Sequence, residues 1–377
     1  MTRKDFFANV GKSLLAWGVV QQLPFLGSAS AKSARASGAK LSHEIKQLNL
    51  KHTWTIARGS SDYKRNVIVT LEKDGITGYG EAAPNVRYNE TPESTVEVIE
   101  KARPLFESGD LWKFNELGYA FRDLSVEQTA AKAALDIALM DWVTKALGVP
   151  MYKFYGLDKA KAPLTTFSIG IDTPEVIKQK VQEAEPYPVL KIKVGLANDK
   201  EVIAAVRSVT DKPLRVDANE GWKTKEEALE KIRWLKTQGV EFIEQPLPSS
   251  MLEETRWLRE QVDMPIIADE SVKSAADIPQ LATAYDGINI KLMKAGGVQE
   301  AVRMIAMARS LGMKIMLGCM IESSVAIAAA ASISPLVDYA DLDGNLLISE
   351  DPFRGHEVKD GKLILNDLPG IGVMPRS

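Results

Sequence analysis

The sequence predicts an α/β protein, a parallel (β/α) barrel preceded by an α+β unit. Three observations predict it. After Pro163, eight short apolar runs alternate with amphipathic helical stretches, the pattern of a parallel sheet closed by its helices. Before Pro163, residues 41–82 read as strands and the chain from Thr91 to Gly148 reads as helices. Five consecutive central runs each end in a charge, repeated at about the length of one βα unit.

The N-terminal stretch stands apart. "MTRKDFFANVGKSLLAWGVVQQLPFLGSASA" has a basic start, an apolar centre and Ala29-Ser30-Ala31 as a cleavage site, which reads as an export signal over residues 1–31 and implies a periplasmic protein; the alternative is an amphipathic N-terminal helix on a cytoplasmic protein. Lys4 stands where a twin-arginine signal has its second arginine, so the export route stays open. The centre is too short and too interrupted for a membrane span. Residues 32–40, "KSARASGAK", read as a linker.

Residues 41–160 form the predicted α+β capping domain. "RNVIVTLEKDGITGYGEA" is a hairpin turning at Asp74-Gly75, with Gly78 and Gly80 breaking its second arm. Thr91 caps a helix with Pro92 at its first position, and a long helix ending at Gly148 carries Ala and Leu on a buried stripe. Residues 161–343 form the barrel, with helices at "TKEEALEKIRWLKTQG", "SMLEETRWLREQV", "AADIPQLATAY" and "VQEAVRMIAMARSLG". A doubly wound open sheet is the structural alternative, but no glycine-rich phosphate loop follows any strand. The tail, residues 344–377, packs back on the cap.

Composition narrows the chemistry. A formal net charge of −3 leaves no electrostatic footprint for nucleic acid. One cysteine, Cys319, excludes an intrachain disulfide, and three scattered histidines exclude a zinc cluster. Any metal site must therefore be built from carboxylates.

Such a site is present at the strand ends. Lys191 and Lys193, two apart in "PVLKIKVG", face the same way from one strand. Asp217, Glu244 and Asp269 follow at spacings of 24 to 27 residues from Lys193, and Lys291 at 22 more. In a barrel these C-terminal strand ends share one mouth. Three carboxylates there need a cation, and oxygen ligands alone favour Mg²⁺. Lysines beside a metal and one another acquire lowered pKa values and can serve as bases. Lys193 nearer the mouth and Lys291 on the opposite side allow a proton to leave one face of a carbon and return to the other. Lys191, one layer deeper, keeps Lys193 deprotonated and reaches a substrate carboxylate.

At these residues the chain resembles the enolase superfamily, in its muconate-lactonising subgroup. "KIKVG", "VDAN", "IEQP", "ADES" and "NIKLMKAGG" match the motifs of the paired lysines, the three metal ligands and the sixth-strand lysine. The resemblance implies a modified (β/α) TIM barrel, Mg²⁺, and proton transfer through an enediolate. It places Asn219 and Glu270 behind the ligands and makes Glu322 the seventh-strand acid. "DLD", with Asp341 and Asp343 aimed to one face, looks like the D-x-D of the dipeptide epimerases, where it binds a free ammonium. Arg58, in "WTIARGS", matches the mobile cap loop, where a family arginine can meet a side-chain carboxylate of the substrate. Ser168 and Cys319, Met320 and Ile321 are expected to line the pocket. The implied substrates are peptidoglycan-derived dipeptides of the Ala-Ala or Ala-Glu type. An N-acylamino acid racemase, a cycloisomerase and a non-catalytic periplasmic peptide-binding protein remain alternatives, and a homo-oligomer is left open.

Overall fold

The computed structural model describes residues 38–376. The export signal and residues 32–37 of the linker lie outside the described residues. The folded unit begins earlier than residue 41: Ala39 is buried, its N–H donates to Phe106 O at 3.2 Å, and the first strand starts at Lys40.

The cap is a three-stranded antiparallel sheet in the order β1 (Lys40–Ile56), β2 (Gly59–Lys73), β3 (Ile76–Ala82). The β2–β3 turn is the predicted one, with Asp74 at φ 53° and Gly75 at φ 75°, the left-handed pair that matches strand twist. Gly78 and Gly80 do not break β3. A Cβ on Gly80 would lie 1.9 Å from Ala134 O, and one on Gly78 2.3 Å from Ala138 O. These glycines let a helix lie directly on the sheet. Helix α1 (Pro92–Ser108) has the Thr91 cap, completed by Ser94 as a capping box. After α2 (Phe114–Asp123), helix α3 (Thr129–Ala146) is buried all round rather than along a stripe, because cap and barrel both pack on it.

The eight predicted strands are β4 (Phe167–Ile169), β5 (Leu190–Lys193), β6 (Leu214–Asp217), β7 (Val240–Glu244), β8 (Ile266–Ala268), β9 (Gly287–Lys291), β10 (Lys314–Gly318) and β11 (Tyr339–Asp341). They are parallel and neighbours in chain order, and a parallel bridge between Thr165 and Ala340 joins the last to the first. A doubly wound sheet would reverse its order partway, so that alternative fails. Helices α4 (Pro174–Glu183), α5 (Asp199–Arg207), α6 (Lys225–Thr237) and α7 (Leu252–Glu260) follow β4 to β7. After β8 there is only a 3₁₀ turn and one helical turn, Ile278–Leu281, where "AADIPQLATAY" predicts a full helix. Helix α8 (Val298–Ser310) and the wholly buried α9 (Ser324–Ile333) complete the ring.

The tail returns to the cap as expected. Lys51 N–H donates to Leu347 O at 3.0 Å, and Ser349 N–H to Asn49 O at 2.8 Å. It also reaches the entrance of β4, where Thr165 N–H donates to Gly361 O at 2.8 Å. Among the described residues no helix is long and apolar enough to cross a membrane.

Candidate active site

Alternation along β5 sends Lys191 and Lys193 into the barrel and Ile192 outward against the helices. The neighbouring strand ends bring Asp217, Glu244 and Asp269 to them. One oxygen from each acid lies within 4.8 Å of the others, all three buried. Lys191 Nζ meets Glu244 and Asp341 at 2.7 Å each and Asp217 at 3.4 Å. Lys193 meets Asp217 at 2.6 Å and Lys291 meets Asp269 at 2.8 Å. Two further residues belong here. Lys294 lies 2.5 Å from Asp269, and Asn289 Nδ2 donates to Glu244 at 2.8 Å. Both were legible: Asn289 precedes Lys291 by one alternation, and Lys294 lies one helical turn beyond it.

The acids of the ring set the charge of two of the lysines. Burial lowers Lys191, but Asp341, Glu244 and Asp217 together hold its pKa well above the ordinary value. Burial likewise lowers Lys291, and Asp269 and Glu244 more than reverse it. Within the carboxylate ring alone these lysines keep their protons. Glu244 moves the other way, pushed up to about 8 by burial and by Asp217. Its Oε2 lies 2.7 Å from the Lys191 ammonium, its one charged partner among the described residues. A buried, all-oxygen donor set with one carboxylate so poorly compensated fits Mg²⁺, held by Asp217, Glu244 and Asp269. A divalent charge held there would disfavour the ammonium form of Lys291, as a role as base requires.

Above the ring lies a cavity of about 530 Å³ between barrel and cap. Lys193 and Lys291 are in its wall, on strands four apart in a ring of eight and hence on opposite sides. Lys191 is not. It is 1% exposed and sits beneath the wall, between Glu244, Asp341 and Asp217. Ser168, Cys319, Met320 and Ile321 line the cavity, and so does Asn219, which the resemblance places behind the ligands. Glu322 lies behind, accepting from Met320 N–H at 2.7 Å, and is pushed up to about 8 by burial and by Glu81.

Asp341 and Asp343 both face the cavity but differ. Asp341 accepts from Lys191, from Ser168 Oγ at 3.2 Å and from Thr166 Oγ1. Lys191 and Lys193 outweigh burial and hold it low. Asp343 accepts the Ser168 N–H at 2.6 Å, and among the described residues its other oxygen meets only the Cys319 thiol, at 4.0 Å. Burial and the charge on Asp341 push Asp343 up to about 7. Asp343 is the acid with an oxygen to spare.

Arg58 lines the cavity and is paired with acids of the barrel. It sits at the tip of the β1–β2 hairpin, docked on the barrel mouth by Ile171 N–H donating to Thr55 O at 2.9 Å. Its guanidinium meets Glu270 at 2.7 Å and Glu220 at 3.4 Å, and donates to Asn219 O at 2.8 Å. These barrel acids occupy it, so it locks cap to barrel. Arg87, not anticipated, grips Glu220 with two bonds of 2.9 Å each. Asn219 donates to Asp217 at 3.3 Å and to Glu270 at 3.2 Å, linking the cap clasp to the acid ring.

Comparison with known proteins agrees with this geometry. Residues 42–156 match the mandelate racemase / muconate lactonizing enzyme N-terminal domain, and residues 175–377 the enolase C-terminal domain-like family. An L-Ala-D/L-Glu epimerase of Bacteroides thetaiotaomicron is 45% identical over 99% of both chains. A dipeptide epimerase from Cytophaga hutchinsonii, complexed with Mg and D-Ala-L-Val, superposes with a TM-score of 0.85 at 26% identity, covering 91% of this chain and 96% of that one. An N-succinyl Arg/Lys racemase from Bacillus cereus has the same TM-score at 29% identity, covering 90% and 96%, so the fold alone does not choose the substrate. The chain belongs to the enolase superfamily, in the family of mandelate racemase and muconate-lactonising enzyme.

Proposed function

We propose that this chain is a Mg²⁺-dependent dipeptide epimerase that inverts the α-carbon of the C-terminal residue. The observation that carries the mechanism is the placement of Lys193 and Lys291 on opposite walls of one cavity, with Asp217, Glu244 and Asp269 between them. One lysine takes the α-proton and the other returns it to the opposite face. Bound Mg²⁺ supplies the positive charge that stabilises the substrate carboxylate as the α-carbon becomes carbanionic. Lys191 holds Asp341 and the acid ring together beneath the reacting carbon. Asp343 takes the substrate ammonium, which favours a free dipeptide over an N-acylated amino acid, since the latter has no cation to offer. The Bacteroides relative acts on L-Ala-D/L-Glu, and an Ala-Glu type of substrate is the reading we adopt.

Deuterium uptake from D₂O at the α-carbon of a dipeptide panel tests the reading. Free dipeptides should exchange, chelation should stop exchange and Mg²⁺ should restore it. A chain that binds dipeptides without exchange, or exchanges undiminished after metal removal, overturns it.

We also assign the protein to the periplasm, acting on peptides released from peptidoglycan. The support is the ordered basic, apolar and A-x-A regions of residues 1–31. The native mature chain should then begin near Lys32, and N-terminal sequencing that starts at Met1 or Thr2 refutes export.

A further inference from the structure

Six cationic side chains line the active-site cavity: Arg58, Lys64, Arg65, Arg87, Lys193 and Lys291. Five have a carboxylate partner. Arg58 has Glu270 at 2.7 Å, Arg65 has Glu93 at 2.9 Å, and Arg87 has Glu220 at 2.9 Å. Lys193 and Lys291 have Asp217 and Asp269. Lys64 differs: among the described residues no acid pairs with it, and burial alone acts on its ammonium, lowering the pKa.

Its direction follows from the strand. Lys64 lies in β2 opposite Leu48 of β1. Period-two alternation places it on the same face as Asn66, and Asn66 Nδ2 donates to Ile321 O at 3.1 Å. Ile321 is a wall of the cavity and packs with Leu48 and Ile348. The face carrying Lys64 is therefore the face turned toward the substrate, beside an apolar patch. A partly desolvated cation without a counter-charge is costly to hold, and an anionic group on the ligand offsets that cost.

The remaining anchors are assigned already. In the dipeptide reading the α-carboxylate lies over the acid ring and the ammonium lies at Asp343. The side chain of the second residue is then the part left to face the cap. Arg58 is engaged by two barrel acids and a carbonyl. We propose that Lys64 reads a side-chain carboxylate on the second residue, and so makes this enzyme prefer Ala-Glu over its neutral isostere Ala-Gln. The proposal rests on the dipeptide reading above and names the residue that sets its acidic preference.

The test compares Ala-Glu with Ala-Gln in two measurements, deuterium exchange and calorimetric binding with Mg²⁺ present. The natural chain should favour Ala-Glu in both. Lys64→Gln should lose roughly 10- to 100-fold in kcat/KM on Ala-Glu, mostly through KM, and remain within about threefold on Ala-Gln. Activity on Ala-Gln also shows that the variant folds, and Lys64→Arg should keep the preference. An unchanged Glu-to-Gln ratio in Lys64→Gln, or no such preference in the natural chain, overturns the proposal. Lys64-dependent binding of Ala-Glu without any exchange supports the role of Lys64 and refutes the epimerase reading instead.

Discussion

Asp343 is a buried carboxyl next to a second carboxylate, and its chemistry follows from those neighbours. Asp341 is neutralised by Lys191, whereas Asp343 has only a backbone N–H and a distant thiol. With a pKa near 7, Asp343 is part-protonated at neutral pH and receives an ammonium best above that value. KM for free dipeptides should therefore rise as pH falls through about 7, and Asp343→Asn should remove that dependence while lowering kcat/KM roughly 10- to 100-fold. Stability runs the opposite way. The folded pKa is raised above the unfolded value of about 3.9, so the stabilising effect is complete below about pH 4 and is lost as pH rises through about 7. Asp343→Asn should accordingly raise Tm near pH 8, with the gain vanishing near pH 4. If the variant keeps the KM dependence and gains no Tm, Asp343 is not the ammonium acceptor. The sequence showed two aspartates on one face; it did not show that Lys191, 150 residues away, engages only the first.

At the scale of elements, β5 and β9 matter because each places one lysine at its C-terminal end, four strands apart in the ring. That geometry makes the two lysines stereochemically distinct. Lys193→Ala and Lys291→Ala should each abolish epimerisation, by at least about 10³-fold. Each variant should still exchange the α-proton of one stereoisomer, and of opposite stereoisomers in the two cases. Either variant epimerising near the normal rate rules out a two-lysine transfer. Strand runs and their closing charges were legible because a period of two and a unit length are one-dimensional properties. The β1–β2 hairpin was less so. Its bases are long alternating strands, but its docking on the barrel through Thr55 and Arg58 depends on residues more than 100 positions downstream. Gly78 and Gly80 follow the same rule. Their lack of a side chain answers to α3 overhead, not to their own strand.

For the whole molecule, the sequence by itself determined the architecture and the charged residues gathered at the barrel mouth. Eight apolar runs in order, with Lys193, Asp217, Glu244, Asp269 and Lys291 at their ends, specify a barrel whose mouth gathers three acids and two lysines. That conclusion needs only local periodicity and regular spacing, which the chain carries along its length. The tertiary structure decided the allocation of partners. It paired Lys191 with Glu244 and Asp341, tied Arg58 to Glu270, added Lys294 and Asn289 to the acid ring, and left Lys64 as the cavity cation without a carboxylate partner among the described residues. The physical reason is that burial and Coulomb interactions depend on distance in space and on the water excluded between groups. Side chains far apart in the sequence acquire those distances only when cap and barrel have packed together.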